Sequence, residues 1–341
     1  MPPRRAWLRQ PLSWKRGGAL ALAVLAIIIV AALVLDAGAR AELEPVQELL
    51  AAEGRPPVEV VEAAGRMVQI VMLSNIRGHA GPKRLAAEAI RALAEGPGLD
   101  AVVLEVPSDE QPYIESFLTR REEDATLLLA RPGAVPEQGA AERAFLEIYR
   151  AVWQLNQELG PARRIRIIAA DIPGWPPSEG ASPQDVAELY AERAPHMLQR
   201  LHDEILQLTP EARMLVFVDG YLILQRTRGR LSFAGGAAQE VHWLGELLRE
   251  RAAGTVRSVL VDAGASATAM RRLPEYHGTE LHRPLRRRVE RSAGVRIDDT
   301  FAVARSPVLE TSAPGLRLEI LPRGYVLRDV ADDYIFLRGG R

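Results

Sequence analysis

From residue 67 onward, short apolar runs alternate with stretches in which apolar residues recur every three or four positions. The runs Val68–Leu73, Ala101–Val106, Ile165–Ala170, Met214–Val218 and Ser258–Val261 read as strands buried on both faces. The stretches Pro82–Ala94, Ala141–Leu159, Pro183–Leu208 and Ala237–Ala252 read as amphipathic helices. Buried strands alternating with helices predict an α/β domain over residues 67–265, with a mostly parallel central sheet flanked by helices. Beyond Asp262 the pattern loosens. Thr300–Ala304, Leu316–Leu321, Gly324–Leu327 and Tyr334–Leu337 predict shorter antiparallel strands. They make residues 266–341 a β-rich C-terminal extension that either lengthens the sheet or forms a small lobe. Residues 37–66, rich in Ala, Glu and Pro, read as a juxtamembrane helix and a linker ending at Pro56-Pro57.

One apolar run is of a different kind. Ala19–Leu35 is 17 apolar residues in succession, or 19 with Gly17 and Gly18. At about 1.5 Å per helical residue it nearly matches a hydrocarbon core of roughly 30 Å, so residues 17–36 are expected to form an N-terminal transmembrane helix. Arg4, Arg5, Arg9, Lys15 and Arg16 precede it without one acidic residue. Such a basic flank (residues 1–16) belongs on the cytoplasmic side, which places the main domain outside the cytoplasm on a single-pass anchor. Ala37-Gly38-Ala39 and Ala39-Arg40-Ala41 have the spacing of a signal cleavage site. The alternative is therefore a secreted or periplasmic protein cleaved near Ala39 or Ala41. The run exceeds the usual signal core of about 7–15 residues, which favours the anchor.

The division changes how the charge is read. The chain of 341 residues has 43 Lys and Arg against 44 Asp and Glu, a net charge of -1. Setting the five flanking cations aside leaves 38 basic against 44 acidic residues, so the body carries about -6. An acidic body argues against nucleic acid as a partner. The absence of cysteine excludes disulfides, thiolate metal sites and a cysteine nucleophile. HExxH, GxSxG, P-loop and GxGxxG motifs are all missing, and with them the common zinc-protease, α/β-hydrolase and nucleotide signatures.

Candidate chemistry collects at the strand ends. Four predicted strands end in an acid, at Glu105, Asp171, Asp219 and Asp262, and the first runs into Ser74-Asn75-Ile76-Arg77-Gly78-His79. In an open parallel sheet, ligands bind beyond the carboxyl ends of the strands, so these residues are expected to converge there. Carboxylates with perturbed pKa values perform acid/base work, and carboxylates with histidine hold divalent metals. Taken singly, each aspartate is as well explained as a cap or a turn residue; Asp219-Gly220 is a natural turn pair. Glutamate caps poorly, which singles out Glu105. His79 falls in the loop before the helix that starts near Pro82. His196 and His202 are six residues apart on one helix, on different faces, and do not read as a metal pair.

In this order of segments the chain resembles the superfamily of erythromycin esterase-like proteins and the haem-binding ChaN/Tiki group. The resemblance rests on Leu73-Ser74-Asn75 followed by His79, on Val102-Val103-Leu104-Glu105, on Ile114–Leu118 with Asp124, and on Phe145–Asn156. It continues through Ile167–Asp171, Tyr190–Met197 and Trp243–Leu248, covering about residues 67–265. It implies Glu105, His79, Asp171 and Arg193 as catalytic residues, with Asn75, Arg77, Asp219 and Tyr221 lining a binding site. A divalent metal and haem are the cofactor alternatives it leaves open. Two departures stand where the chemistry belongs. The family's first-loop glutamate falls on Asn75, and the loop Val218-Asp219-Gly220-Tyr221-Leu222-Ile223 has no histidine. An amide cannot act as a base. The resemblance thus implies a membrane-anchored domain that binds a small molecule or an envelope protein with a degenerate catalytic site. Its alternative is a tethered hydrolase using Glu105 and His79 as acid/base groups or metal ligands.

Overall fold

The computed structural model describes residues 46–129, 139–176, 181–233, 238–251, 254–263, 285–287, 289–297, 310–313, 316–319 and 327–338. The expected transmembrane helix and its basic flank lie outside them, as do His277, His282 and the strand expected at Thr300–Ala304. Among the described residues, no helix is long and apolar enough to cross a membrane.

The chain alternates strand and helix. Its strands are β1 (Ile70–Asn75), β2 (Ala101–Pro107), β3 (Arg166–Asp171), β4 (Met214–Asp219), β5 (Gly229–Phe233), β6 (Gln239–Val241), β7 (Val256–Asp262), β8 (Ala293–Arg296), β9 (Glu310–Ala313), β10 (Leu316–Glu319) and β11 (Asp333–Phe336). The main helices are α1 (Pro57–Met67), α2 (Ala80–Glu95), α3 (Gln111–Thr119), α4 (Ala140–Glu158), α5 (Pro183–Leu201) and α6 (Leu244–Arg251). Seven strands form one sheet in the order β3-β2-β4-β1-β7-β11-β8, in which all neighbours are parallel except β11 and β8. The strands fill both faces with apolar side chains, as a two-sided sheet requires. On β1, Val71 and Leu73 pack with α1, α2 and α4, through Val61, Ile90 and Val152. Ile70 and Met72 point the other way, toward Met197 and Leu201 of α5 and Leu248 of α6. Each fully buried aliphatic side chain contributes about 1.5–3 kcal/mol.

Chain direction places the site. The crossovers β1 to β2 and β2 to β3 run one way along the sheet and carry α2, α3 and α4 on one face. The crossover from β3 back to β4 carries α5 on the other, as right-handed connections demand. The reversal brings β2 and β4 together, and all six parallel strands present their carboxyl ends at one edge.

Several expectations changed. Residues 57–66, read as linker, form α1, because Pro57 is preorganised for the first helical turn and Val60, Val61 and Ala64 bury against the core. The helix expected over 237–252 begins only at Leu244. Gln239 and Glu240 are exposed while Val241 is buried, and this stretch pairs with β5 instead. The helix expected to reach Leu208 ends at Leu201 and widens into a π-helical turn at His202–Leu206. Of the C-terminal strands, β11 extends the main sheet, parallel to β7 on one side and antiparallel to β8 on the other. Strand β10 joins β9, β5 and β6 in a separate four-stranded antiparallel sheet, so the extension does both of the things expected of it.

Candidate functional site

Glu105, Asp171, Asp219, Asn75 and Asp262 stand at the carboxyl ends of β2, β3, β4, β1 and β7. Local chain chemistry aims the first of these. Leu104 pairs with Ala169 but Pro107 pairs with Asp171, so β2 carries an extra residue around Glu105, a bulge that redirects the side chain. Pro107 has no N–H to continue the ladder, and the chain turns at Ser108–Glu110 into α3.

Two of the five, Glu105 and Asp171, converge on one arginine. Arg193 lies on α5, whose start is fixed by a capping box between Ser182 and Asp185 with Pro183 in the first turn. The side chain is 1 % exposed. Its Nε donates to Asp171 Oδ1 at 3.0 Å, and its Nη2 donates to Asp171 Oδ2 and to Glu105 Oε1, both at 2.5 Å. Its Nη1 donates to the Tyr221 hydroxyl. The guanidinium stacks on the Trp175 ring with 3.8 Å to the centroid. Trp175, Tyr190, Tyr221 and Trp243 pack edge to face or tilted in a continuous aromatic row around it. Tyr221 is held in that row by α6. Gly245 donates its N–H to Leu222 O at 2.8 Å, and a Cβ there would fall 2.4 Å from Ile223 O, so only glycine allows the approach.

Arg77 closes the cluster from the β1–α2 loop, whose turn passes through Gly78 at φ 72°. Its Nη2 lies 3.4 Å from Glu105 Oε1 and 3.5 Å from Asp219 Oδ2. Glu105 Oε2 accepts the Asp219 N–H at 2.6 Å. Both oxygens of Glu105 are thus occupied by protein donors, and its side chain is 6 % exposed. Asn75 is held by Lys83, one of two lysines in the chain and 0 % exposed. The Lys83 Nζ donates to Asn75 Oδ1, Ile76 O and His79 O at 3.1–3.3 Å. His79 therefore stands at the start of α2 with its carbonyl bound by Lys83. Asp262 is set apart from the cluster and accepts the Tyr334 hydroxyl at 2.9 Å.

The electrostatics follow the contacts. Burial would raise the Glu105 carboxyl, but Arg193, Arg77 and the Asp219 N–H outweigh it and hold the group below its ordinary value. Asp171, 0 % exposed, is pushed up by burial against the pull of Arg193. The two carboxyls that share one Nη2 are thereby shifted in opposite directions. Burial would lower both arginines; their carboxylate neighbours raise them instead, so both stay cationic. Burial raises the Tyr190 and Tyr221 hydroxyls, which stay protonated.

Neither alternative cofactor fits this arrangement. Arg193 and Arg77 neutralise the carboxylates a divalent cation would need, and among the described residues no group of three or more such ligands is poised for a metal. The aromatic row that would stack a porphyrin is filled by its own members and by Arg193. Two donors do remain. Arg77 Nη1 and Trp175 Nε1 are buried without a protein partner.

One residue escaped the sequence reading. His196 follows Arg193 by three positions on α5, a spacing that puts both over the same strand ends. Its Nε2 lies 3.4 Å from Ser108 Oγ.

No family profile matches the chain, and no curated protein is similar to it in sequence. Solved structures are similar in fold. A succinoglycan biosynthesis protein superposes with a TM-score of 0.57 at 9% identity, covering 87% of this chain and 97% of that one. A protein from Bacillus cereus gives 0.53 at 10% identity, over 86% and 97%. A mutant of the erythromycin esterase EreC in its open conformation gives 0.50 at 12% identity, over 82% and 93%. The chain shares its fold with these three structures.

Proposed function

We propose that this chain is a membrane-anchored, extracytoplasmic domain that binds a ligand at the carboxyl edge of its sheet and no longer uses the Glu105 chemistry its fold suggests. The observation that carries this reading is the occupation of Glu105. An acid/base glutamate needs a free oxygen and a pKa near the working pH. Glu105 has neither, and Asn75 supplies no second base. The open donors Arg77 Nη1 and Trp175 Nε1 favour a ligand that presents acceptor oxygens, since a buried donor without a partner costs about 1–3 kcal/mol. That ligand is a small molecule or a segment of an envelope protein. The anchor and the outward orientation rest on the apolar run Ala19–Leu35 and its basic flank.

Thermal midpoints of the full-length protein in detergent test the binding reading, using a panel of carboxylates and phosphates, haem, divalent metals and EDTA. A ligand that binds the native state raises the midpoint. The expected result is a rise with an oxyanion that disappears in Arg77→Met, and no response to metal or EDTA. Ester hydrolysis that requires metal and vanishes in Glu105→Gln would overturn it in favour of the tethered hydrolase. A periplasmic reporter fused after residue 60 should be active; an inactive one contradicts the orientation.

A further inference from the structure

Ser108 is the first residue after Pro107 at the end of β2, on the turn that leads into α3. Beside it, Pro107 pairs with Asp171 of β3, so the ends of both strands meet α5 here. From α5, His196 places Nε2 3.4 Å from the Ser108 hydroxyl. A nucleophile with a base within reach of it is the arrangement that activates a serine, and such contacts are often long before substrate binds. Ser108 and His196 are both half-buried.

We propose that Ser108 and His196 form a nucleophile–base pair that transfers the acyl group of a carboxylic ester bound at the carboxyl edge. The pair uses no atom of Glu105 and goes beyond the binding reading, on whose edge of the sheet it lies. His196 Nε2 takes the hydroxyl proton as Ser108 Oγ attacks the ester carbonyl carbon. The tetrahedral oxyanion collapses, the ester C–O bond breaks, and the imidazolium returns the proton to the departing alkoxide. Water, deprotonated by the same Nε2, then attacks the acyl-serine, releasing a carboxylic acid and restoring the serine hydroxyl.

The electrostatics of His196 suit the role. Burial and the Arg200 guanidinium one turn along α5 lower its pKa, against the opposing pull of Asp171 and Glu192. The imidazole is therefore neutral at pH 7. A neutral imidazole offers one ring nitrogen as an acceptor, and Nε2 is the one that faces the Ser108 hydroxyl.

The test uses the full-length protein and a fluorophosphonate probe, with the modified peptide identified by mass spectrometry. The proposal expects labelling at Ser108, its loss in Ser108→Ala, and a labelling rate at least about 10-fold lower in His196→Gln. Because the chain has no cysteine, Ser108→Cys supplies a second readout that does not depend on turnover. A thiol beside His196 forms thiolate near neutral pH, so iodoacetamide should alkylate it at least about 10-fold faster than in the Ser108→Cys/His196→Gln double variant. Fluorophosphonate labelling elsewhere but not at Ser108, or equal alkylation rates with and without His196, would overturn the proposal. Either failure leaves ligand binding, read by the thermal midpoint, standing.

Discussion

At each edge of the sheet a buried arginine grips an aspartate at two points, and the two bridges differ in what surrounds them. At the amino edge Arg257 donates through Nε and Nη2 to the two oxygens of Asp333, at 2.6 and 3.1 Å, and binds the Asp332 carbonyl at 3.5 Å. One cation faces one bidentate carboxylate between β7 and β11, and the pair ties two strands together. At the carboxyl edge Arg193 makes the same two-point grip on Asp171 but also holds Glu105 and Tyr221 and stacks on Trp175. A second arginine is required to balance the additional acids. A buried ion pair alone is therefore no sign of function, since such pairs are often neutral for stability. The signal is the surplus: more acids than one strand pair needs, donors left open, and a neighbouring serine and histidine.

The comparison predicts unequal costs. Replacing Arg193 with Met strands Asp171, leaves Glu105 with only Arg77 and the Asp219 N–H, and should cost about 3–5 kcal/mol, which urea denaturation will read. Arg257→Met strands a single carboxylate and should cost at least about 1 kcal/mol less. Equal losses would mean that Glu105 adds nothing to the carboxyl-edge network. Neutralising the acids together, as Arg193→Met/Glu105→Gln/Asp171→Asn, should recover about half of the loss or more, because no buried charge remains unpaired.

Glu105→Gln sharpens the point through pH. At pH 7 it should cost about 1.5–3 kcal/mol, the range for hydrogen bonds to charged groups. The folded Glu105 pKa lies below its unfolded value near 4.3. Its contribution is therefore present above that value and is lost as the pH falls through the folded pKa. The difference between wild type and variant should shrink at pH 3. Asp171 works in the opposite sense. Its folded pKa is raised, so the native state holds the proton more tightly and stability falls as the pH rises between the unfolded and folded values. Asp171→Asn should flatten that slope, whereas a steeper one would contradict the assignment.

Lys83→Met removes three donated hydrogen bonds in the β1–α2 loop and should cost about 2 kcal/mol in denaturant titration. The smallest effect is expected from Arg66→Ala. Arg66 is two-thirds exposed in an i,i+4 pair with Glu62, and the change should stay within about 0.5 kcal/mol.

How far the sequence could be read follows from which interactions are local. The five parallel strands β1, β2, β3, β4 and β7 were legible because each is an unbroken apolar run, and their shared direction brought Glu105, Asp171 and Asp219 to one edge. What the runs could not show was pairing. Arg77 meets Glu105 across 28 residues and Asp219 across 142, and Arg193 meets Glu105 across 88, so the neutralisation of the acids has no local signature. Lys83 carries no local signature of its role, yet its Nζ is the clamp on Asn75 and the loop. Strands β5 and β6 were missed because they are short and carry little apolar pattern. His196 was within reach through its three-residue spacing from Arg193 on α5.

The most direct measurement is the ionisation of Glu105 itself, followed by carbon-13 NMR of its side-chain carboxyl, with Glu105→Gln identifying the signal. The grip of Arg193, Arg77 and the Asp219 N–H predicts a carboxylate that titrates below the ordinary glutamate value near 4.3. A midpoint at about 6 or above would mean a carboxyl poised to donate a proton, and would return Glu105 to the role of a catalytic acid.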